Sequence, residues 1–318
     1  MIRLFVHTLR HEAQGVLGIE LRSPDGAELP AFTAGAHIDL HLPGGLVRSY
    51  SLANDPLERH RYVLGVLREP NSRGGSRAVH EQLRIGTQIE VTEPGNLFPL
   101  HEGARHSVLV AGGIGITPLL SMARRLKTIG ASFEFVFCAR SRKAAAFADE
   151  VASLGVPVHW HFDDEAGGPP DLSALLRARG GAGADVTHFY ACGPGPMLDA
   201  FLAACSTLGY ANAHIERFAA AAPVEVVGSG QGFTVELRRS GRTVEIAPGQ
   251  SILDVLLDAG IQASFSCQDG FCGSCETRVL EGEPEHRDSV LTETERAENK
   301  VMMICVSGCR GERLVLDL

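Results

Sequence analysis

The sequence has no long hydrophobic run, no excess of positive charge and no apolar leader, and each absence removes a class of function. The uncharged run Ser107–Ala123 is 17 residues long and carries Gly112, Gly113, Gly115 and Pro118, too short and too glycine-rich to span a bilayer. Charges at Arg3, Arg10 and Glu12 break up the N-terminal stretch, so no secretory signal is expected and the protein is placed in the cytoplasm, with no membrane partner. Twenty-nine basic residues against 38 acidic ones leave a net charge of −9, which argues against nucleic acid as a partner. What is present is ordinary for a folded protein: 318 residues, 44% hydrophobic and 21% charged, enough for two or three domains. Cysteine is unevenly spread. Five of the eight fall in the last 52 residues, a clustering that in a cytoplasmic chain points to metal rather than disulfides.

The pattern of apolar residues changes twice along the chain. Up to about residue 100 it shows short alternating stretches closed by turn residues, such as Ala36–Leu42 before Pro43-Gly44-Gly45, Arg61–Leu67 and Thr87–Val91. These read as strands of a small antiparallel barrel or sandwich. From about 105 to 218, strands alternate with helices. Strands are expected at Ser107–Ala111, Phe133–Ala139, Val156–His161 and His188–Ala191, and helices at Pro118–Thr128, Lys143–Ser153 and Pro196–Leu208, the pattern of a doubly wound parallel sheet. Ala219–Gly232 reads as a linker. A hairpin Phe233–Arg238/Arg242–Ile246 about Ser240-Gly241 follows, then a helix Ser251–Ala259 with Ser251 as its N-cap.

Cys267, Cys272, Cys275 and Cys305 are spaced C-x4-C-x2-C-x29-C, the spacing of plant-type 2Fe-2S ferredoxins. Three thiolates so close in sequence must wrap around two irons. Gly270 and Gly273 supply the backbone freedom, and the small Ser266 and Ser274 leave main-chain N–H groups free for the sulfurs. A four-cysteine zinc site is the alternative, but zinc favours two close pairs and the second is missing; Cys305-x3-Cys309 mimics it only in part. Cys309 is expected to be a spare thiol.

Ala111-Gly112-Gly113-Ile114-Gly115-Ile116-Thr117-Pro118 joins an apolar strand to a helix. Such a turn lets backbone approach a pyrophosphate at the positive end of the helix, although a plain structural turn looks the same. Cys192-Gly193-Pro194 repeats the form after a later strand, and two such turns at strand carboxyl ends would border one nucleotide crevice. Nothing at a telling spacing would make Cys192 a nucleophile. In the first region Arg48, Tyr50 and Ser51 end a strand, and Gly74-Gly75-Ser76 follows 23 residues on. These could hold a phosphate and an aromatic ring, or be a solvated charge and a plain loop.

Taken in order, R-x-Y-S, G-G-S, G-G-I-G-I-T-P, C-G-P, E-R-F and the four cysteines resemble the phthalate dioxygenase reductase family, which includes vanillate demethylase reductases, over essentially the whole chain. The resemblance implies an antiparallel β-barrel flavin domain at 1–101, an α/β doubly wound NAD-binding domain at 102–222, a linker at 223–232 and an α+β β-grasp 2Fe-2S ferredoxin domain at 233–318. It further implies that Arg48, Tyr50, Ser51, Gly74, Gly75 and Ser76 hold FMN. Gly112, Gly113, Gly115, Thr117, Cys192, Gly193 and Pro194 would face the dinucleotide, Phe218 would lie against the flavin, and Cys267, Cys272, Cys275 and Cys305 would hold the cluster. One stretch departs from NADH-preferring members. Cys138-Ala139-Arg140-Ser141-Arg142-Lys143 has three basic residues and no acid where an acidic residue would meet the ribose, so NADH is expected from the family and NADPH stays open.

The three cofactors fit one task. NADH gives two electrons as hydride, an iron–sulfur cluster takes one at a time, and a flavin exchanges electrons either way. No side-chain acid or base is needed. Plant-type clusters lie near roughly −400 mV, so hydrogen bonds around Ser266 and Ser274 are expected to raise the potential. From Gln231 onward the net charge is −6, with seven acids between Glu281 and Glu298. This is either a face that steers toward a basic acceptor or simply a solvated one. The expected protein is a monomeric reductase that passes electrons from NADH to a Rieske-type oxygenase or O-demethylase. The alternatives are a stand-alone NAD(P)H flavin or quinone reductase and a non-enzymatic zinc protein.

Overall fold

The computed structural model describes residues 1–70, 74–180, 186–218 and 232–318, and the chain divides into two units, Met1–Glu216 and Arg217–Leu318. All but Gly232 of the expected linker lies outside the described residues. Among the described residues no helix is long and apolar enough to cross a membrane.

The first unit begins with β1 (Ile2–Ala13), β2 (Val16–Arg22), β3 (His37–Leu42), β4 (Leu46–Ser51), β5 (Tyr62–Leu67), helix α1 (Gly75–Gln82) and β6 (Gln88–Val91). The strands form an antiparallel sheet in the order β4-β3-β6-β1-β2-β5. A bridge between Leu52 and Leu64 joins its two edges, so the sheet closes into a barrel. Alternation explains the strands: in β6, Ile89 and Val91 point inward while Gln88 and Glu90 face water. Leu4, Val6, Ile19, Leu21, Ile38, Leu40 and Tyr62 fill the interior.

After the barrel come β7 (His106–Gly112), α2 (Ile116–Thr128), β8 (Phe133–Ala139), α3 (Ala148–Ala152), β9 (Val158–Phe162), α4 (Asp163–Ala166), α5 (Leu172–Gly180), β10 (Thr187–Cys192), α6 (Gly195–Leu208) and β11 (Ala213–Glu216). All five strands are parallel, in the order β11-β10-β7-β8-β9. The chain therefore reverses direction across the sheet between β7 and β10, where open α/β sheets bind ligands. Helix α2 packs on one face of the sheet in a core shared with Ala13, Val16, Ala53 and Phe98 of the first 100 residues. Helices α5 and α6 cover the other face.

One expected helix is different. In place of Lys143–Ser153 there is a tight turn at Arg142–Ala144 and the short α3. Phe147 takes a left-handed backbone (φ 57°) that interrupts the helix and buries its ring against Gly65 of β5, where an added Cβ would lie 2.6 Å from the ring. Helices α4 and α5 and strand β11 carry signals too short or too mixed to be read from the sequence.

The second unit contains β12 (Phe233–Leu237), β13 (Arg242–Ile246), α7 (Ile252–Asp258), β14 (Glu276–Glu281), β15 (Pro284–Glu285), α8 (Glu293–Glu298), β16 (Val301–Met303), β17 (Gly308–Cys309) and β18 (Arg313–Leu316). Its main sheet runs β13-β12-β18-β14-β16, with β12 and β18 parallel and the other neighbours antiparallel, a β-grasp arrangement. Ser251 caps α7 as expected, accepting from the Asp254 N–H at 3.0 Å, and α7 buries Ile252, Leu253 and Leu256 in the core.

Candidate functional site

Three groups of residues gather at loop and strand ends. On β4, Arg48 and Tyr50 lie opposite Leu40 and Ile38 of β3. Burial pushes the Tyr50 hydroxyl up to about 12, so it stays protonated. Helix α1 starts beside Arg48, with Gly74 left-handed at its N-cap. A Cβ on Gly75 would fall 2.6 Å from Arg48 Cγ and 2.8 Å from Nε. Only glycine lets the guanidinium lie this close to the free N–H groups of a helix start, and that pairing suits a phosphate. Ser76 closes the turn by accepting from the Glu69 N–H at 3.2 Å.

The second group lies at the point where the parallel sheet reverses. The two glycine turns pack directly on each other. A Cβ on Gly115 would sit 2.2 Å from the Cys192 carbonyl oxygen, and one on Gly193 would sit 2.9 Å from Gly112 Cα. Gly113, with φ 53°, carries the chain into α2 with open space at its Cβ position. Pro194 is the N-cap of α6. Thr117 is buried and donates to the Ile114 carbonyl at 3.1 Å, and its methyl would meet a Cβ on Gly65 at 2.9 Å. It thus closes the turn against the barrel.

A residue that the sequence reading left without a role joins these two groups. Glu216 ends β11 beside Cys192 and accepts from the Ser51 hydroxyl at 3.2 Å. Burial pushes its carboxyl up to about 8, against the Ser51 hydrogen bond that lowers it. The fully buried Cys192 thiol is pushed well up, first by burial and then by the Glu216 charge, so it is no nucleophile. The barrel and the parallel sheet therefore meet at Ser51, Cys192 and Glu216. The available signal was a lone acid at the end of a strand, next in register to the C-G-P turn. Phe218 lies two residues further on and is 38% exposed.

The basic stretch after β8 is partly neutralised. Arg142 Nε and Nη2 donate to the Glu165 carboxylate of α4, at 2.6 and 3.0 Å, and the guanidinium carbon lies 4.5 Å from the centre of the Phe162 ring. The Asp164 N–H donates to the Arg140 carbonyl at 3.1 Å. Acids missing after β8 in sequence are thus delivered from the end of β9.

The third group is the loop between α7 and β14. Cys267 is within hydrogen-bonding reach of Cys272 and Cys305, and Cys275 within reach of Cys305. The sulfurs form a row, Cys272–Cys267–Cys305–Cys275, which divides into two pairs. Among the described residues no three His, Cys, Asp or Glu side chains group as a site for one metal ion. The donor set fits a two-iron cluster, one pair to each iron. The Asp269 N–H donates to the Cys267 sulfur at 3.3 Å and the Cys267 N–H to the Cys272 sulfur at 3.5 Å. N–H donors to the sulfurs include those of Cys267, Asp269 and Phe271, and Ser274 brings its hydroxyl 3.3 Å from the Cys272 sulfur. Bonds from Cys272 and Cys305 lower the Cys267 thiol, and the same sharing drives Cys272 and Cys305 up. Cys309 is buried outside the row, its sulfur accepting from the Gly311 N–H at 3.3 Å.

The comparisons with known proteins agree with this geometry. Residues 235–310 match the 2Fe-2S iron-sulfur cluster binding domain. Phenoxybenzoate dioxygenase subunit beta of Ectopseudomonas oleovorans is 51% identical over 317 residues, covering 100% of this chain and 97% of the relative. Tetrachlorobenzoquinone reductase of Sphingobium chlorophenolicum is 45% identical, covering 100% and 98%. The structure of phthalate dioxygenase reductase, described as modular and built for electron transfer from pyridine nucleotides to [2Fe-2S], superposes with a TM-score of 0.75 at 38% identity, covering 100% of this chain and 98% of that one. An intact type IV self-sufficient cytochrome P450 monooxygenase superposes at 0.85 with 40% identity, but the chain spans only 41% of its length.

Proposed function

The chain belongs to the phthalate dioxygenase reductase family, and on that premise we propose that it is the NADH-dependent reductase of a two-component oxygenase, using FMN and a 2Fe-2S cluster. The observation that carries this is the paired row of four cysteine sulfurs in the same chain as a nucleotide crevice at a sheet reversal. Once bound, the flavin and the cluster would supply the chemistry, hydride acceptance and one-electron transfer respectively. The chain's own residues bind and orient. Arg48, Gly74, Gly75 and Ser76 hold the FMN phosphate, Tyr50 lies against its ring system, and Ser51 places Glu216 at the same edge. Gly112, Gly113, Gly115 and the Cys192-Gly193-Pro194 turn seat the dinucleotide, with Thr117 fixing the first turn. Glu216 holds its proton at the carboxyl through neutral pH, so the crevice meets the nicotinamide without an extra negative charge. Cys267, Cys272, Cys275 and Cys305 ligate the cluster.

The acceptor is a Rieske-type oxygenase, and the reductase works as a cytoplasmic monomer. Charge steering toward that acceptor is weaker than composition suggests, because Glu281, Glu283 and Glu285 already pair with arginines of their own unit. A second reading, direct reduction of a quinone, is favoured by the 45% identity to tetrachlorobenzoquinone reductase. The test is the absorbance spectrum of anaerobically purified protein before and after one equivalent of NADH. Overlapping flavin and iron–sulfur bands that bleach are expected, and a colourless protein would sink the proposal. Turnover with a quinone but with no oxygenase would select the second reading.

A further inference from the structure

Beside the cysteine loop the second unit encloses two polar side chains and the inner part of a third that the chemistry above does not use. Asp288 lies in the segment between β15 and α8, its side chain fully enclosed, and the His286 side chain is only 6% exposed. Asp288 is tied to the cysteine loop. The Ser289 N–H donates to the Gly270 carbonyl at 2.8 Å, and a Cβ on Gly270 would lie 3.1 Å from Asp288 Cα. Gly270 stands between Cys267 and Cys272, so Asp288 packs by its Cα and Cβ against the loop that carries three of the four sulfurs.

One oxygen of this carboxylate is well held: Oδ2 accepts from the N–H groups of Val290 at 3.0 Å and Leu291 at 2.8 Å. Arg296 reaches over from α8, its Nη2 donating to the Asp288 carbonyl and lying 3.8 Å from Oδ2. The other atoms are not satisfied. Asp288 Oδ1, His286 Nδ1 and Arg296 Nε are all buried without a hydrogen-bond partner, and the first two face each other at 3.9 Å. That is too long for a direct bond, and leaving three such atoms orphaned is costly.

The mismatch has one simple solution. His286 Nε2 is 3.1 Å from Asn299 Oδ1, a contact in which Nε2 donates, so that in the neutral imidazole Nδ1 is the acceptor. Nδ1 and Oδ1 are then two acceptors facing each other, and Arg296 Nε is an unpartnered donor on the side chain that approaches Oδ2 of the same carboxylate. A water molecule donates twice and accepts at least once, and buried waters usually make about three bonds. We propose that His286, Asp288 and Arg296 hold one buried water and that this node seats the Asp288 carboxylate against the iron–sulfur loop, where it positions the loop and lowers the cluster's reduction potential. The inference rests on the assignment of the cluster to this loop.

The sign follows from electrostatics. Reduction adds an electron to the cluster, so a fixed anion beside the loop opposes it and a fixed cation favours it. Asp288→Asn should shift the midpoint potential upward, and Arg296→Gln, which strips the cation from the same node, should shift it downward. A purely structural role would loosen the cluster in both variants and move both potentials the same way. The measurement is a spectroelectrochemical titration of the full chain at the iron–sulfur bands, with cluster content per chain from the visible spectrum. Opposite shifts at full cluster content support the proposal, and unchanged or like-signed shifts overturn it. Should Asp288→Asn fail to fold, the partly exposed Arg296 still gives the downward shift or refutes it. Wild-type protein without iron–sulfur bands would overturn the cluster assignment itself. A crystal structure sharp enough to show waters should place one within bonding distance of all three atoms; a dry node overturns the arrangement.

Discussion

Glu216 offers the sharpest quantitative test of the crevice. Burial holds its carboxyl at about 8, against the ordinary 4.5. In the unfolded chain the proton is lost near 4.5, and in the folded chain near 8. The stability this group contributes is therefore fully present below pH 4.5, declines as pH rises between the two values, and is gone above 8. Each unit is worth roughly 1.4 kcal/mol. The residue as a whole is half-buried, and water relaxes some of the cost, so roughly 2–3 kcal/mol is a fair share of the full span. Glu216→Gln keeps the shape and the Ser51 partner but cannot ionise. Its melting temperature should pull ahead of the wild type as pH rises from 5 to 8, by about 5–10 °C in total for a unit of this size, and the gap should then stay constant to pH 9. The assay is thermal release of flavin fluorescence from the full chain across that pH series. In parallel, kcat/KM for NADH should fall near pH 8 in the wild type and not in the variant. Melting curves that keep a constant separation from pH 5 to 9 would refute the buried, protonated carboxyl.

Other variants probe the remaining parts of the site. Gly75→Ala pushes a methyl into Arg48, and losing one charge-assisted contact to the phosphate, about 1.5–3 kcal/mol, should weaken FMN rebinding to flavin-stripped protein by roughly tenfold to a hundredfold; unchanged affinity would remove Arg48 from the phosphate site. Cys305→Ser breaks one of the two sulfur pairs, so the iron–sulfur bands and oxygenase-coupled turnover should vanish while NADH-to-ferricyanide activity persists, and retention of a full cluster would contradict the ligand set. Glu165→Gln frees Arg142 from its carboxylate; a charge change on the order of 1 kcal/mol should raise kcat/KM for NADPH about fivefold with NADH little altered, and an unmoved NADPH rate would show that α4 takes no part in cofactor choice.

What could be read from the sequence and what could not differ in the range over which the chemistry acts. The four cysteines were legible because three thiolates that share a cluster must lie within a few residues of one another, and that leaves a spacing. The Ser251 cap and the two glycine turns were legible for the same reason, since cap, turn and helix start are neighbours in the chain. Phe147 misled because its left-handed backbone is set by a cavity against Gly65, over 80 residues away, and not by local propensity. The basic run Arg140–Lys143 looked like an attractor for a second phosphate because its counter-charge, Glu165, arrives from the next strand end. Glu216 was hidden most completely. Its strand is four residues long, none of them fully buried or fully exposed, so no alternation marks it, and its partner Ser51 is 165 positions earlier. In this chain the groups proposed to hold the cofactors are local motifs. The groups that tune charge around them, at Glu216, Glu165 and Asp288, are assembled by tertiary contact, so residues in the second set have to be found by their surroundings rather than by their spacing.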